Sequence, residues 1–188
     1  MAVQLTARWV EQQLPQRQPT AHKGTFGTLN IAAGSRHYRG AAALAVLGAL
    51  RSGVGIVRLV AIEPVCAAVA AHTPCCIFSP AAENALGGLS EAALPSLLQA
   101  GHTALLAGCG LSDTPDTARL ITGLLQQGAS GLVLDADALN ALARHTPRAP
   151  DWTYAGGEVV LTPHIGEMAR LCGLPTEEVA GRQAELAT

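Results

Sequence analysis

The sequence predicts a doubly wound α/β domain with a mostly parallel sheet, on three observations. Short apolar segments alternate with helix-like segments, a spacing typical of repeated β–α units. Of the 188 residues, 49% are hydrophobic, only 3% are aromatic and 14% are charged. Small aliphatic side chains of this kind suit buried strands covered by close-packed helices. Several apolar segments also end in glycine, aspartate or histidine, where such folds bind ligands.

The composition argues against several classes of protein. The longest apolar stretch, Gly40–Leu50, falls short of the about 18 residues that a membrane helix needs. A net charge of −2 provides no basic surface for nucleic acid. The 5 cysteines show no metal-binding spacing, and their odd number argues against a disulfide framework. The amino terminus lacks the pattern of a signal peptide, so we expect a cytoplasmic location.

The chain is expected to divide at residue 21. Residues 1–21 should form an entry helix and a linker, because Pro15 and Pro19 interrupt the helical pattern. Residues 22–188 should form the domain, with Ser90, Asp137 and Thr176 as helix N-caps. The predicted strands are Thr28–Ala33, Ile56–Ile62, Cys75–Phe78, His102–Ala107, Gly131–Leu134 and Glu158–Leu161. The predicted helices are Ala41–Arg51, Pro64–His72, Ser90–Ala100, Thr117–Gln127, Ala138–Arg144, one from Gly166, and Thr176–Ala187.

No strand follows the last of these helices. A doubly wound domain rarely finishes on a helix whose next strand is missing. We therefore expect a truncated sequence, with a sheet incomplete at its carboxyl-terminal side.

Four strand ends are expected to meet at one edge of the sheet. A Gly-x-Gly turn such as Gly108–Gly110 forms either an anion-binding backbone nest or a simple tight turn. The carboxylate of Asp135 is costly at the end of a buried strand unless it has a partner, a metal-bound water or a ribose hydroxyl. Asn140 faces either the cleft or solvent, and His164 is either a ligand contact or structural. The four ends are Gly34-Ser35, Gly108-Cys109-Gly110, Asp135-Ala136-Asp137 and Thr162-Pro163-His164.

Five segments together resemble a known family, the ADP/ATP-dependent NAD(P)HX dehydratases. The segments are HKGTFGTLNIAAGS, RGAAALAVLGALRSGVGIVRLV, LLAGCGLS, LVLDADALN and LTPHIGEMARLCG, and the similarity extends over about residues 15–188. The resemblance implies a ribokinase-like fold of three α/β/α layers. It also implies repair of the hydrated cofactors NADHX and NADPHX by an elimination that consumes ADP or ATP, with Mg²⁺. The leaving hydroxyl would first be phosphorylated.

The resemblance also implies roles for individual residues. Ala41, Gly110 and His164 would contact the hydrated cofactor, and Asp135 and Asn140 would support the site. Where the family usually has GPGLG, this chain has Gly-Cys-Gly-Leu-Ser, which we expect to loosen the loop.

Two motifs of the family, KGxGT and GxGD, would lie beyond Thr188. The aspartate of the second motif is the expected base, so no catalytic residue is assigned and we expect little or no dehydratase activity from this chain alone. The alternatives are a ribokinase-like kinase of a vitamin precursor and a non-catalytic remnant that binds a nucleotide-like ligand. The expected partners are a second copy of the chain and an NAD(P)HX epimerase. The sequence does not distinguish ADP from ATP, or NADHX from NADPHX.

Overall fold

The computed structural model describes residues 5–99, 101–128, 131–145 and 156–187. The described residues form one parallel six-stranded sheet with the strand order β3-β2-β1-β4-β5-β6. The strands are β1 (Thr28–Ala32), β2 (Ile56–Ile62), β3 (Ile77–Ala81), β4 (Ala104–Ala107), β5 (Gly131–Leu134) and β6 (Glu158–Leu161). The predicted doubly wound α/β class is thus confirmed.

Helices connect successive strands, and two 3₁₀ turns, Lys23–Phe26 and Glu91–Ala93, supplement them. The helices are α1 (Ala7–Gln13), α2 (Arg39–Ser52), α3 (Glu63–Ala70), α4 (Leu94–Leu97), α5 (Pro115–Gln127), α6 (Asp137–His145), α7 (Ile165–Cys172), α8 (Thr176–Gly181) and α9 (Gln183–Leu186). Within the described ranges, no helix is long and apolar enough to cross a membrane.

The centre of the sheet is also the centre of the core. Ile31 of β1, Leu59 of β2 and Leu105 of β4 are fully buried. Burial of a side chain of this size stabilises the fold by about 1.5–3 kcal/mol. The strand order reverses direction at β1, which lies between β2 and β4. The crevice at such a reversal is where doubly wound folds bind ligands.

Helix α2 covers this part of the sheet with small side chains. Ala42, Val46 and Ala49 are buried and recur every three or four residues, so they lie on one face of the helix. The helix ends at Gly53, whose φ of 97° is left-handed. Glycine adopts this conformation without steric cost, which makes it the commonest helix-ending residue. The helix therefore begins two residues earlier and ends one residue later than predicted.

Most predicted elements end within two residues of their observed bounds, but three predictions were wrong by more. Strand β3 spans Ile77–Ala81 rather than Cys75–Phe78, because this edge strand tolerates Pro80, which cannot donate a ladder hydrogen bond. The helix predicted from Ser90 is divided into a 3₁₀ turn and α4, although Ser90 does cap it by accepting from the amide of Ala92 at 3.3 Å. The last predicted helix divides into α8 and α9 near Arg182. Residues 100 and 188 lie outside the described residues.

Two predicted N-caps were also wrong. Asp137 is the first residue of α6, and its carboxylate accepts a hydrogen bond from the distant amide of Ser112. Thr176 is the first residue of α8, and Pro175 occupies the cap position. The proline has a φ of −62°, which already suits a helix start, but its side chain offers no capping bond.

Candidate ligand-binding site

The carboxyl ends of β1, β4, β5 and β6 lie side by side, because these four strands are neighbours in the sheet. Backbone hydrogen bonds join the residues that follow them. They run from Gly34 N to Cys109 O (2.9 Å), Gly108 N to Ala32 O (3.2 Å), Asp135 N to Ala107 O (3.1 Å) and Thr162 N to Leu134 O (3.2 Å). The predicted meeting of four strand ends at one edge is thus confirmed.

The loop Gly108–Ser112, which we call the glycine loop, contacts the start of α2. A Cβ atom on Gly110 would lie 2.7 Å from Tyr38 Cβ and 2.8 Å from Ala41 Cβ. No real side chain fits at such distances, so Gly110 brings its backbone directly against the helix. The structure therefore brings Ala41 and Gly110 together at the point where the strand order reverses.

The carboxylate of Asp135 has two protein donors. The hydroxyl of Thr162 donates to Oδ1 at 2.8 Å, and the thiol of Cys109 donates to Oδ2 at 3.6 Å. Burial, and then the nearby charge of Asp135, raise the pKa of Cys109 to about 11, so its thiol keeps the proton that it donates. These two protein donors offset the cost of placing the Asp135 carboxylate at the end of a buried strand.

Ser112 occupies the position of the last glycine in the family pattern. Its φ is 71°, which is uncommon for a residue with a side chain. Its amide donates to Asp137 Oδ2 at 2.9 Å, and its hydroxyl donates to Ser35 Oγ at 3.1 Å. The replacement of glycine therefore leaves this end of the loop held by hydrogen bonds rather than loosened.

His164 caps α7, a role that the sequence interpretation missed. Its Nδ1 accepts from the amide of Gly166 at 3.0 Å, and its Nε2 lies 3.2 Å from Glu167 Oε1. Because Nδ1 accepts, Nε2 carries the hydrogen of the neutral ring. Glu167 is 5% exposed and also accepts from the amide of His164 at 2.9 Å. The His164 ring itself remains largely exposed at the site edge.

Asn140 joins two helices at the margin of the site. Its side-chain carbonyl accepts from Nε of Arg170 at 2.8 Å, so it links α6 to α7. Of the five residues assigned by resemblance, Ala41 and Gly110 are in direct contact, and Asp135 lies against the same loop. His164 follows Thr162, the donor to Asp135, by two residues.

A small apolar groove adjoins Thr162. It encloses about 280 Å³. Its walls come from the end of β6 and from α7, α8 and α9, and they include Leu161, Ile165 and Met168. Predominantly apolar walls with a few polar groups are typical of ligand sites.

The described residues form no metal site built from protein ligands alone. They contain no group of three or more His, Cys, Asp and Glu that could hold a metal ion. The carboxylates nearest the glycine loop, Asp135 and Asp137, already accept hydrogen bonds from the protein.

The contacts of three residues at the site were not predicted from the sequence. Tyr38 lies against Gly110, Thr162 donates to Asp135, and Asp137 holds Ser112. Thr162 could have been found, since it is a hydroxyl residue directly after a predicted strand, at the edge where ligands bind. The contacts of Tyr38 and Asp137 depend on the spatial neighbours of the glycine loop, which the sequence alone does not reveal.

Known proteins resemble this chain over most of its length. A bifunctional NAD(P)H-hydrate repair enzyme of Moorella thermoacetica is 39% identical over 185 residues, which cover 97% of this chain and 34% of that protein. The crystal structure of the ADP/ATP-dependent NAD(P)H-hydrate dehydratase of Bacillus subtilis, co-crystallised with ATP and Mg²⁺, superposes with a TM-score of 0.78 at 33% identity. That superposition covers 96% of this chain and 59% of that one.

A ribokinase-like superfamily protein of Enterococcus faecalis superposes with a TM-score of 0.76 at 22% identity, a likeness that shows the fold alone. The chain spans 34% of the length of the Moorella thermoacetica protein and 59% of the length of the Bacillus subtilis protein. The sequence profile described as NAD(P)H-hydrate dehydratase, of the carbohydrate-kinase type, matches residues 29–188. That match covers most of the chain, and the fold is ribokinase-like with a site at the strand ends. The chain therefore belongs to the NAD(P)H-hydrate dehydratase family.

Proposed function

We propose that residues 22–188 form a domain that binds NADHX or NADPHX and takes part in its dehydration to NADH or NADPH, at the expense of ADP or ATP. The contact between Gly110 and the start of α2 carries this proposal. The contact places the backbone of Gly110, which has no side chain to block a ligand, beside Ala41. The strand order reverses at this point, and doubly wound folds bind nucleotide ligands there. The family of the chain supplies the identity of the ligand.

The described residues suit binding better than proton transfer. The glycine loop, which follows β4, offers backbone amides and carbonyls. The largely exposed ring of His164 follows β6, so in sheet order Asp135, which follows β5, stands between the two. Asp135 accepts a hydrogen bond at each oxygen, from Cys109 and from Thr162, so its carboxylate ties the glycine loop to the end of β6. In the proposed reaction ADP or ATP with Mg²⁺ would activate the leaving hydroxyl, and the residues named here would orient the hydrated ring.

We also propose a cytoplasmic protein that assembles with a second copy and works with an NAD(P)HX epimerase. All five cysteines are free thiols, which suits a reducing compartment. Leu44 on α2 is 73% exposed among small residues, which suits close packing against another helix. The epimerase is suggested by the relative from Moorella thermoacetica, whose name describes a bifunctional NAD(P)H-hydrate repair enzyme.

Calorimetric titration of the 188-residue chain with NADPHX tests the proposal. We expect saturable binding that G110A abolishes, because the added methyl group pushes the loop away from Tyr38 and Ala41. The matched control is G48A, since Gly48 has no atom within 4 Å of the added methyl group. Absence of binding by the unaltered chain would contradict the proposed function.

Turnover is a separate measurement. Incubation of the chain with NADHX, ADP and Mg²⁺ should restore little of the absorbance of the reduced nicotinamide, because the carboxylates of Asp135 and Asp137 serve to hold the glycine loop. Normal turnover would show that this reasoning is wrong. Phosphorylation of a thiazole or pyrimidine alcohol without binding of NADPHX would instead identify a vitamin-precursor kinase.

A further inference from the structure

The glycine loop has an unusual backbone. Gly108, Gly110 and Ser112 have φ values of 129°, 70° and 71°, so every second residue is left-handed. Glycine accepts such values freely, but Ser112 does so against a steric preference. A non-glycine residue keeps this conformation only where its surroundings over-determine it. The contacts of Ser112 must therefore hold it in this conformation.

Hydrogen bonds use every polar group of Ser112. Its amide donates to Asp137 Oδ2 at 2.9 Å, its hydroxyl to Ser35 Oγ at 3.1 Å, and its carbonyl accepts from Thr117 Oγ1 at 2.7 Å. Ser35 and Thr117 are buried and neutral. The bond to Asp137 is the charged one, and charge-assisted hydrogen bonds are the stronger kind.

The other end of the glycine loop is held by Asp135. Its carboxylate accepts from the thiol of Cys109 at 3.6 Å. Its backbone oxygen lies so close to Gly108 that a Cβ atom there would be 1.8 Å away. The two aspartates flank Ala136, which is itself left-handed at a φ of 48°. The turn after β5 thus contacts the glycine loop near both of its ends.

We propose that the Asp135-Ala136-Asp137 turn is a clamp that sets the shape of the glycine loop, and that Asp137 is a positioning residue of the ligand site. By fixing Gly108, Cys109 and Ser112, the clamp leaves Gly110 between them, against the start of α2. The ligand part of this inference rests on the proposed function. The conformational part rests only on the contacts described above.

Hydrogen exchange of the Ser112 amide, followed by NMR in the full 188-residue chain, tests the clamp. We expect D137A to speed exchange of this amide about tenfold or more, because its charged acceptor is gone. D137N keeps a side-chain carbonyl of the same shape and should restore most of the protection. D116A is the control, because Asp116 is likewise an acidic residue in the first turn of a helix but contacts Glu91 and Arg119 instead of the glycine loop.

Calorimetric titration of the same variants with NADPHX tests the positioning role. Affinity should fall about tenfold or more in D137A, since a displaced loop no longer matches the ligand, and should recover in D137N. A merely structural role would lower stability in D137A without this selective rescue of affinity. Unchanged exchange at Ser112 in D137A would overturn the clamp. Absence of NADPHX binding by the unaltered chain, with the exchange results as expected, would overturn the proposed function and leave the clamp standing.

Discussion

Three glycine-to-alanine variants separate the steric requirements of the fold. The added methyl group is the same in each, but its surroundings differ. At Gly48, inside α2, and at Gly101 it would meet no atom within 4 Å, whereas at Gly108 it would lie 1.8 Å from Asp135 O. Gly101 and Gly108 have φ values of 95° and 129°. The series therefore compares an ordinary helical position, a left-handed position in open space, and a left-handed position in contact.

The expected free energies of unfolding follow from these differences. G48A should stabilise the protein by about 0.5–1 kcal/mol, because alanine loses less backbone freedom in a helix than glycine does. G101A should destabilise it by about 1–2 kcal/mol, the cost of a left-handed residue with a side chain. G108A combines a backbone cost of about 1–3 kcal/mol with an overpacking cost of about 1–3 kcal/mol, so we expect about 4 kcal/mol in total.

Urea unfolding followed by far-ultraviolet circular dichroism measures all three variants under the same conditions. The slopes of the transitions must agree for the midpoints to be compared as stabilities. A loss of about 4 kcal/mol is a large part of the stability of a typical domain, so G108A should unfold at a much lower urea concentration. A value for G108A within about 1 kcal/mol of that for G101A would refute the close approach of Gly108 to the turn after β5.

Further predictions concern titration and capping. Burial raises the pKa of Cys66 to about 11. Between about pH 9 and 11 the folded state therefore keeps a proton that the unfolded state loses. The free energy of unfolding should fall by on the order of 2 kcal/mol over this range. In C66A that alkaline loss should shrink, as pH-dependent urea midpoints would show. D135N should lower the pKa of Cys109, so its alkylation at alkaline pH should accelerate; an unchanged pH–rate profile would contradict the Cys109–Asp135 contact. E167A should lower the free energy of unfolding in urea by about 1–2 kcal/mol, because Glu167 is buried in a capping box. The control is E177A, since Glu177 is exposed in the first turn of α8, and its change should stay under about 0.5 kcal/mol.

The sheet could be predicted because its strands carry local signals. Short apolar segments such as Ile56–Ile62 and Gly131–Leu134 are bounded by glycine or acidic residues, so their ends were visible in the sequence. Bounds failed where tertiary context decided them. The strand predicted to end at Phe78 continues through Pro80, because β3 is an edge strand, where a missing amide costs little.

The site was predicted in outline but not in its pairings. The edge where Gly34, Gly108, Asp135 and Thr162 meet follows from strand order, which repeated β–α units make predictable. The bonds from Thr162 to Asp135 and from Ser112 to Asp137 span 27 and 25 residues and depend on the neighbours of each strand. No local pattern contains that information. The cap made by His164 was local, but histidine is not among the residues usual at that position.

The left-handed residues at the carboxyl edge of the sheet also bear on which mutations this protein can accept. Gly34, Gly108, Gly110, Ser112 and Ala136 all have positive φ, and they stand on three adjoining loops. Substitutions there should be tolerated far less than substitutions of the exposed Leu44 of α2. A mutational scan should therefore map the site through intolerance of added side chains, even at positions that have no reactive group. Laboratory evolution toward another ligand would be expected to act on α2, α7 and the groove beside Thr162 while leaving these backbone positions untouched.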